Sequence, residues 1–495
     1  MSPYIRKVKT ASGATAVQIA EKVRGERRIV EHVGSAHTDA ELTALMATAR
    51  DRLHPGQGEL DLFPERPARV GVIESKQSRW LWQALVAAWD RLGFDVIEDD
   101  TFQQLVLARL IEPASKAETV RILHDLGLPA PGLRTVFRTL PRINTANYRD
   151  QIARACYAHA QARGTIALCL YDVTTLYFEA EKEDDLRKVG YSKERRVDPQ
   201  VVVGLLVDSR GFPLQIQCFE GNKAETHTLI PVLEAFKVLH GLEDLVVVAD
   251  AGMLSAANLD ALEEAGYQFI VGSRITKAPH DLARHFETKG THFTDGQIVE
   301  TTTTMGGTTR RVVYQYSRKR FVRDNTTITQ QENRAKAILA GETRPKNARF
   351  LRKTGTQARL DERAVEQARD LAGVKGYVTN VPVRVMTGSE VIGSYHALWQ
   401  VEQSFRMTKS DLRARPIFHH VRESIEAHLT IVFTALALAR HLQDQTGMSL
   451  KKIITTLKPL QHQTVTIAGH QHHVHDRLTS PASNILTSLG IPAGH

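Results

Sequence analysis

The sequence predicts an α/β protein of several domains, in which a sheet-centred core is interrupted by a β-rich insertion and preceded by a mainly helical region. Three observations predict it. Between residues 166 and 272, three strand-like runs in a meander are followed by strand and helix in alternation. Between 69 and 164 the apolar periodicity is helical. Between 275 and about 375 the chain is rich in Thr and Arg, with strand-like pieces but no βαβ alternation. At 495 residues the chain exceeds what one hydrophobic core organises, so two or three domains are expected.

Taken in order, residues 4–34 carry short alternating runs broken by Gly13 and Gly25, and 38–53 read as a helix, which gives a small β/α element over 1–54. The Pro- and Gly-rich stretch from His54 to Ala68 reads as a linker. In the helical region, 69–164, Ser115 and Glu118 have the spacing of a capping box that opens a helix to about Leu126. Gly127, Pro129 and Pro131 punctuate the chain, and a second helix runs from about Gly132 to Leu140. This is a helix-turn-helix length and layout. Arg134 and Arg138 lie one turn apart on one face of the second helix, with Leu133, Val136, Phe137 and Leu140 assigned to packing, so the pair is a candidate DNA contact. Next, Ile166–Tyr171, Val201–Val207 and Leu214–Phe219 read as consecutive strands. A helix over Thr226–His240, an apolar strand over Leu245–Ala249, a helix over Ser255–Ala265 and a strand over Gln268–Gly272 complete an RNase H-like order. The core is thus expected in two parts, 165–274 and 376–447, around the insertion 275–375, with a C-terminal tail over 448–495.

With 42% hydrophobic, 24% charged and 6% aromatic residues, the composition is that of an ordinary globular protein and excludes a wholly disordered or fibrous chain. The formal charge is +9. Its distribution is uneven: residues 166–272 hold eighteen Asp and Glu against nine Lys and Arg, between net-basic flanks. An acidic centre in basic surroundings suits a carboxylate site for cations within a surface that grips a polyanion. Cys156, Cys169 and Cys218 cannot all pair and form no CxxC, so they read as buried apolar residues rather than a disulfide framework or zinc site. The longest apolar stretch without formal charge, Ala427–Ala439, falls short of the ~18–20 residues that span a bilayer. The first residues lack the apolar run of a secretory signal, so a cytoplasmic location is expected.

The chemistry centres on carboxylates. Asp172 closes the first core strand in Leu-Tyr-Asp-Val-Thr-Thr-Leu-Tyr-Phe, and Asp250 closes the apolar strand in Val-Val-Ala-Asp-Ala-Gly-Met-Leu. Carboxylates at the ends of adjacent strands can converge, and hard cations such as Mg²⁺ or Mn²⁺ take such oxygens while keeping positions open for water and phosphate. A strand-end Asp is equally a turn former. The segment Thr387–Leu412 offers a third acid: on a helical wheel Tyr395, Trp399, Glu402, Arg406 and Lys409 share a face, and Leu398, Val401, Phe405 and Leu412 cluster a quarter-turn away to dock on the sheet. A solvated Glu402–Arg406 pair accounts for the same pattern.

In their order and context these motifs resemble the DDE transposases of bacterial insertion sequences, in the branch whose third motif reads Tyr-x2-Arg-x3-Glu-x6-Lys. Here it reads Tyr395-His-Ala-Leu-Trp-Gln-Val-Glu402-Gln-Ser-Phe-Arg-Met-Thr-Lys409. The blocks Glu220-Gly-Asn-Lys-Ala-Glu-Thr226 and Asp411–His419 are similar too, and the resemblance covers nearly the whole chain. It implies an RNase H-like enzyme in which Asp172, Asp250 and Glu402 hold two divalent ions, Mg²⁺ or Mn²⁺, for in-line cleavage and strand transfer of DNA. It further implies that Lys409 and Tyr395 position the DNA backbone, that the partners are terminal inverted repeats and target DNA, that the end complex is a homodimer, and that no membrane is involved. Where the family has Arg, this chain has Leu398, so the phosphate contact implied there is absent or is supplied by a neighbour such as Arg406. Two other readings are an RNase H-like structure-selective nuclease without strand transfer and a catalytically silent repressor derived from a transposase; the intact acids count against the second. His462, His470, His472, His473 and His475 lack zinc-finger spacing. Glu225 and His227 read as helix N-terminal placement. Arg318–Arg323, with Phe321 interleaved, reads as a basic turn, exposed or facing phosphate.

Overall fold

The computed structural model describes residues 3–492 except 11–12, 24–25, 56–70, 165, 180–181, 192–196, 243–244, 254, 274–277, 344–347, 355–356 and 468–469. Most of the linker expected over 54–68 lies outside the described residues. The chain forms two compact units: residues 140–440, and residues 1–139 together with 441–495.

The chain begins with an antiparallel sheet of β1 (Tyr4–Lys9), β2 (Thr15–Val23) and β3 (Glu26–Ala36), with β2 in the middle. Helix α1 (Asp39–Leu53) packs on it and starts at a capping box, Thr38 with Glu41. Then come β4 (Val72–Gln77), α2 (Arg79–Arg91), α3 (Asp100–Ile111), α4 (Glu118–Asp125) and α5 (Leu133–Thr145). Trp89 of α2 is buried against the rings of Phe94 and Phe102. Gly127, which separates α4 from α5, has φ +70°, and a Cβ there would meet the Lys76 carbonyl oxygen at 1.8 Å, so only glycine fits this turn. The packing stripe of α5 is Val136, Leu140 and Ile143, at i, i+4 and i+7. Leu133 and Phe137, assigned to packing from the sequence, are instead half exposed beside the exposed Arg134 and Arg138, because the buried stripe is narrower than the apolar one.

The unit 140–440 is built on one eight-stranded sheet. Its first elements are α6 (Tyr148–Ala162), β5 (Leu168–Tyr177), β6 (Gln200–Asp208), β7 (Pro213–Glu220), α7 (Leu229–His240), β8 (Val246–Ala249), α8 (Ala256–Glu264) and β9 (Gln268–Gly272). There follow α9 (Ala278–Asp281), α10 (Ala283–Lys289), β10 (Ile298–Met305), β11 (Thr308–Tyr316), α11 (Arg318–Leu339), β12 (Leu351–Thr354), β13 (Gln357–Leu360), α12 (Glu362–Asp370) and β14 (Val374–Thr379). Helices α13 (Gly388–His396), α14 (Trp399–Ser410) and α15 (Arg422–Thr446) close it. The strand order is β10-β11-β14-β9-β8-β5-β6-β7, with β8 parallel to both β5 and β9 and the other pairs antiparallel. Strands β5 to β9 therefore have the RNase H-like order that the meander and the alternation predict. Strand β6 is buried at every position; α14 and α15 pack beside β5 and β6, and α6 and α7 pack on β7, so both faces are covered.

The interval expected as a β-rich insertion is mixed. Its longer strands, β10 and β11, extend the central sheet beyond β14, and it contains the 22-residue helix α11. That helix is mostly polar and buries little beyond Ile328 and Ala335, seven residues apart, so its periodicity is faint in the sequence. Those two residues join Phe350, Val365 and Ala372 in a small core of their own. Helix α15 is long and apolar enough to cross a membrane by length and composition, but 94% of its most apolar window is buried inside the protein, as in a core helix.

The expected C-terminal tail is folded. It comprises α16 (Leu450–Leu457), β15 (His462–Ile467), β16 (His470–His475) and α17 (Ser480–Ser488), and β15 pairs antiparallel with both β16 and β4. Ser78 donates to the Lys458 carbonyl at 3.0 Å and accepts from the Gln461 side chain at 2.8 Å. The polar look of 462–475 arises because β16 is exposed at every position and β15 only half buried, so no apolar face marks the hairpin.

Candidate active site

The parallel register of β5 and β8 pairs Tyr171 with Ala249, and the next residue on each strand is an acid: Asp172 and Asp250. Parallel neighbours run about 4.8 Å apart, so this register brings the two carboxylates side by side where β8 ends. Strand β5 itself continues to Tyr177 along β6, so Asp172 lies within its strand and does not close it as expected from the sequence. Asp172 is half buried and Asp250 exposed. Asp172 also shares a face of β5 with Thr174 and Leu176, which line one small cavity with Phe405 and Thr408 of α14, the helix that packs beside β5. Helix α14 thus crosses the side of the sheet towards which Asp172 points, and Glu402 lies exposed in its first turn.

The wheel drawn through Tyr395, Glu402 and Lys409 does not hold as one straight helix. Helix α13 ends at His396 and α14 begins at Trp399, and the N–H groups of Leu398, Gln400 and Val401 bond three residues back instead of four. That tightening turns the chain further per residue than an α-helix does, so Tyr395 departs from the exposed face of Trp399, Glu402 and Arg406. Tyr395, expected at the DNA backbone, is 5% exposed and faces inward. Its hydroxyl donates to Asp250 Oδ1 at 2.8 Å and accepts from the Ala251 N–H. Burial, and then the bond to Asp250, push its phenol above the ordinary range. The phenol fits because β9 ends in glycine: a Cβ on Gly272 would lie 2.5 Å from the Tyr395 hydroxyl and 3.2 Å from the Ala251 Cβ. Leu398, where the resemblance implies Arg, is buried. Lys409 is half buried and Arg406 exposed on α14.

Sequence reasoning missed two residues here. Lys375 of β14 holds its ammonium 4.3 Å from the Tyr395 ring centroid and 5.5 Å from that of Tyr377. Burial and the neighbouring Arg320 lower its pKa, while Asp250 and Glu402 oppose the shift. The signal was its place two residues before a buried Tyr on the strand beside β9, which requires the strand pairing to be known. Glu225 directs Oε2 to within 3.2 Å of where a Cβ on Gly252 would sit, two residues past Asp250. Together with Asp172 it also raises the Tyr171 phenol, whose shift is dominated by burial. The sequence shows it only as an acid before a helix.

The donor set of Asp172, Asp250 and Glu402 is all carboxylate oxygen, which matches a hard divalent cation rather than a soft metal. Among the described residues, however, no group of three or more His, Cys, Asp or Glu side chains stands close enough to hold a metal ion, so the three acids are not drawn into a closed ligand shell. The His-rich hairpin forms no such group either.

A family model described as Transposase DDE domain matches residues 163–438. No curated protein matches the chain. Among solved structures, the piggyBac transposase synaptic complex with hairpin DNA is 10% identical, covering 77% of this chain and 70% of that one with a TM-score of 0.36. The Mos1 transposase paired-end complex with left transposon end is 12% identical, covering 47% and 67% with a TM-score of 0.16.

Proposed function

The chain belongs to the transposase DDE domain family, and from that membership we propose that it is a DNA transposase of the bacterial insertion-sequence type, which binds the ends of its element and catalyses divalent-ion-dependent DNA cleavage and strand transfer. The observation that carries the reading is the register of β5 and β8, which sets Asp172 and Asp250 side by side where β8 ends. Asp172, Asp250 and Glu402 would hold Mg²⁺ or Mn²⁺, two ions in the full site. When bound, such ions polarise the phosphoryl oxygens and activate the attacking hydroxyl.

The chain's own residues do the positioning. Tyr395 fixes one oxygen of Asp250, Oδ1, by its 2.8 Å hydrogen bond. Lys375 brings a cation to the acids Asp250 and Glu402, and Arg406 and Lys409 follow Glu402 on α14, so that a phosphate backbone the acids would otherwise repel can be held. Arg134 and Arg138, exposed on α5 beside Phe137, form the proposed end-recognition surface in the helical region. A cytoplasmic, nucleoid-associated protein acting as a homodimer on two ends completes the reading.

The test uses supercoiled plasmid nicking by the full-length protein in Mg²⁺ or Mn²⁺. Asp172→Asn, Asp250→Asn and Glu402→Gln should each reduce nicking by at least about a hundredfold, with random-duplex binding within about threefold of wild type. Retained nicking in Asp172→Asn or Asp250→Asn overturns the site. Joining of a cut end to target DNA separates transposition from simple hydrolysis.

A further inference from the structure

Three strands of the central sheet, β5, β8 and, across β9, β14, carry chemistry-bearing side chains. β5 and β8 bring Asp172 and Asp250, and β14, antiparallel to β9, brings Lys375 just past the C-terminal end of β9, where the Ser273 N–H bonds to the Gly376 carbonyl at 2.8 Å. Behind Lys375 is a cavity of about 310 Å³, with Ser273, Arg320, Asp324, Arg349 and Gly376 among its walls. Arg320 lies in the first turn of α11, within the basic stretch Arg318–Arg323.

Among the described residues neither Lys375 nor Arg320 has a carboxylate within ion-pair distance, although the two are close enough for Arg320 to disfavour the charge on Lys375. The carboxylate on the cavity wall is engaged elsewhere: Asp324 accepts the Gly373 N–H at 3.2 Å and lies 3.9 Å from Arg323. Two half-buried cations set together with no carboxylate paired to either repel each other, and the more distant Asp250 and Glu402 offset that repulsion only in part. An anion between the two cations reverses its sign. We propose that Lys375 and Arg320 form a phosphodiester-binding site that grips the DNA strand next to the phosphate at the carboxylates, with Lys375 as a positioning residue held in place by the Tyr377 and Tyr395 rings. The proposal rests on the transposase reading and extends it: the anchor lost where Leu398 stands is supplied from the sheet, by β14, and from α11.

The expected consequences are specific. Full-length Lys375→Ala should need about tenfold more plasmid for half-maximal nicking in Mn²⁺, with the rate at saturation changed by less than about threefold, because a backbone contact acts mainly on binding. Its affinity for a fluorescein-labelled random-sequence duplex should fall less steeply with salt, the slope of log affinity against log salt dropping by about one. Lys375→Arg should restore both, and Arg320→Ala should lower the slope likewise. If Lys375→Ala leaves the plasmid requirement and the salt slope unchanged while Asp250→Asn abolishes nicking, this proposal fails and the transposase reading stands. If Lys375→Ala lowers the melting temperature and the saturating rate with an unaltered salt slope, the lysine only supports the two rings, and the proposal fails too. If the wild type nicks in neither Mg²⁺ nor Mn²⁺, the transposase reading fails and takes the phosphate site with it.

Discussion

At the scale of single residues the site depends on one missing side chain. Gly272 ends β9 with no Cβ, and the Tyr395 hydroxyl occupies the space a Cβ would need on its way to Asp250. Gly272→Ala should force the phenol off that carboxylate, lowering nicking at least about tenfold at a stability cost of about 1–3 kcal/mol, as for other overpacked sites. Removing the hydroxyl relieves much of the clash. The Gly272→Ala, Tyr395→Phe pair should therefore cost less than the two single changes added, and strict additivity in nicking rate and melting temperature would show that the contact is not the cause. The two aspartates were legible in the sequence because each follows a short apolar run; Asp250 does close its strand, whereas β5 continues past Asp172 to Tyr177, because the Thr-rich residues after it still pair with β6. Tyr395 was seen as a motif member but not as a partner of Asp250. Lys375 was not seen at all, since its relation to the acids exists only once β14 is paired with β9.

Elements show where periodicity suffices and where it does not. Strands β5 to β9 were readable because each is short, apolar and bounded by turns; α11 was not, because its buried stripe is thin. The step between α13 and α14 was hidden for another reason: both helices have residues that suit one continuous helix, and only the hydrogen-bond pattern reveals the tightened turn. For α5, the exposed face now includes an aromatic ring with two arginines. Arg134→Ala with Arg138→Ala should reduce the salt slope of end binding by about two, and Phe137→Ala should weaken binding without lowering the melting temperature. A melting loss at Phe137 instead would return it to packing. Helix α7 carries a pH-dependent weakness. His240 at its C-terminal end stacks on Tyr157 at 4.2 Å, and burial, with Arg154 nearby, lowers its pKa from 6.5 to about 4. A helix C-terminus favours a cation, so burial outweighs the dipole. The folded chain resists the proton that the unfolded chain accepts, so the stabilisation is complete above pH 6.5 and fades as pH falls towards 4. His240→Phe should remove that slope. Because the ring is only half buried, the relative gain at about pH 4.5 should be about 1 kcal/mol by urea midpoints, and equal pH dependence in both proteins would refute it.

For the whole molecule, the partition into units was the least legible feature, because a unit assembled from both ends of the sequence leaves no local mark. Charge, turn residues and periodicity are local, whereas the β4–β15 pairing joins residues nearly four hundred positions apart. One consequence is that residues 1–165 should not stand alone as a DNA-binding fragment. Without 441–495 the fragment loses the partner of β4 and the helix α16, which packs on α2 with Leu450, Ile453 and Leu457 buried. It should melt without cooperativity and be cut rapidly by protease, and supplying 441–495 as a second chain should restore protection; a cooperative melt of 1–165 by itself would contradict this. The same pairing sets an order of events during synthesis. A ribosome delivers β4 early and β15 only after the whole of residues 140–440 has emerged, so β4 lacks its sheet partner until then. A chain stalled or terminated before residue 462 would carry its complete set of acids, Asp172, Asp250 and Glu402, together with an unfinished N-terminal unit. Synthesis of β15 thus acts as a checkpoint: the unit carrying Arg134 and most of α5 matures only in chains that have been read past residue 467.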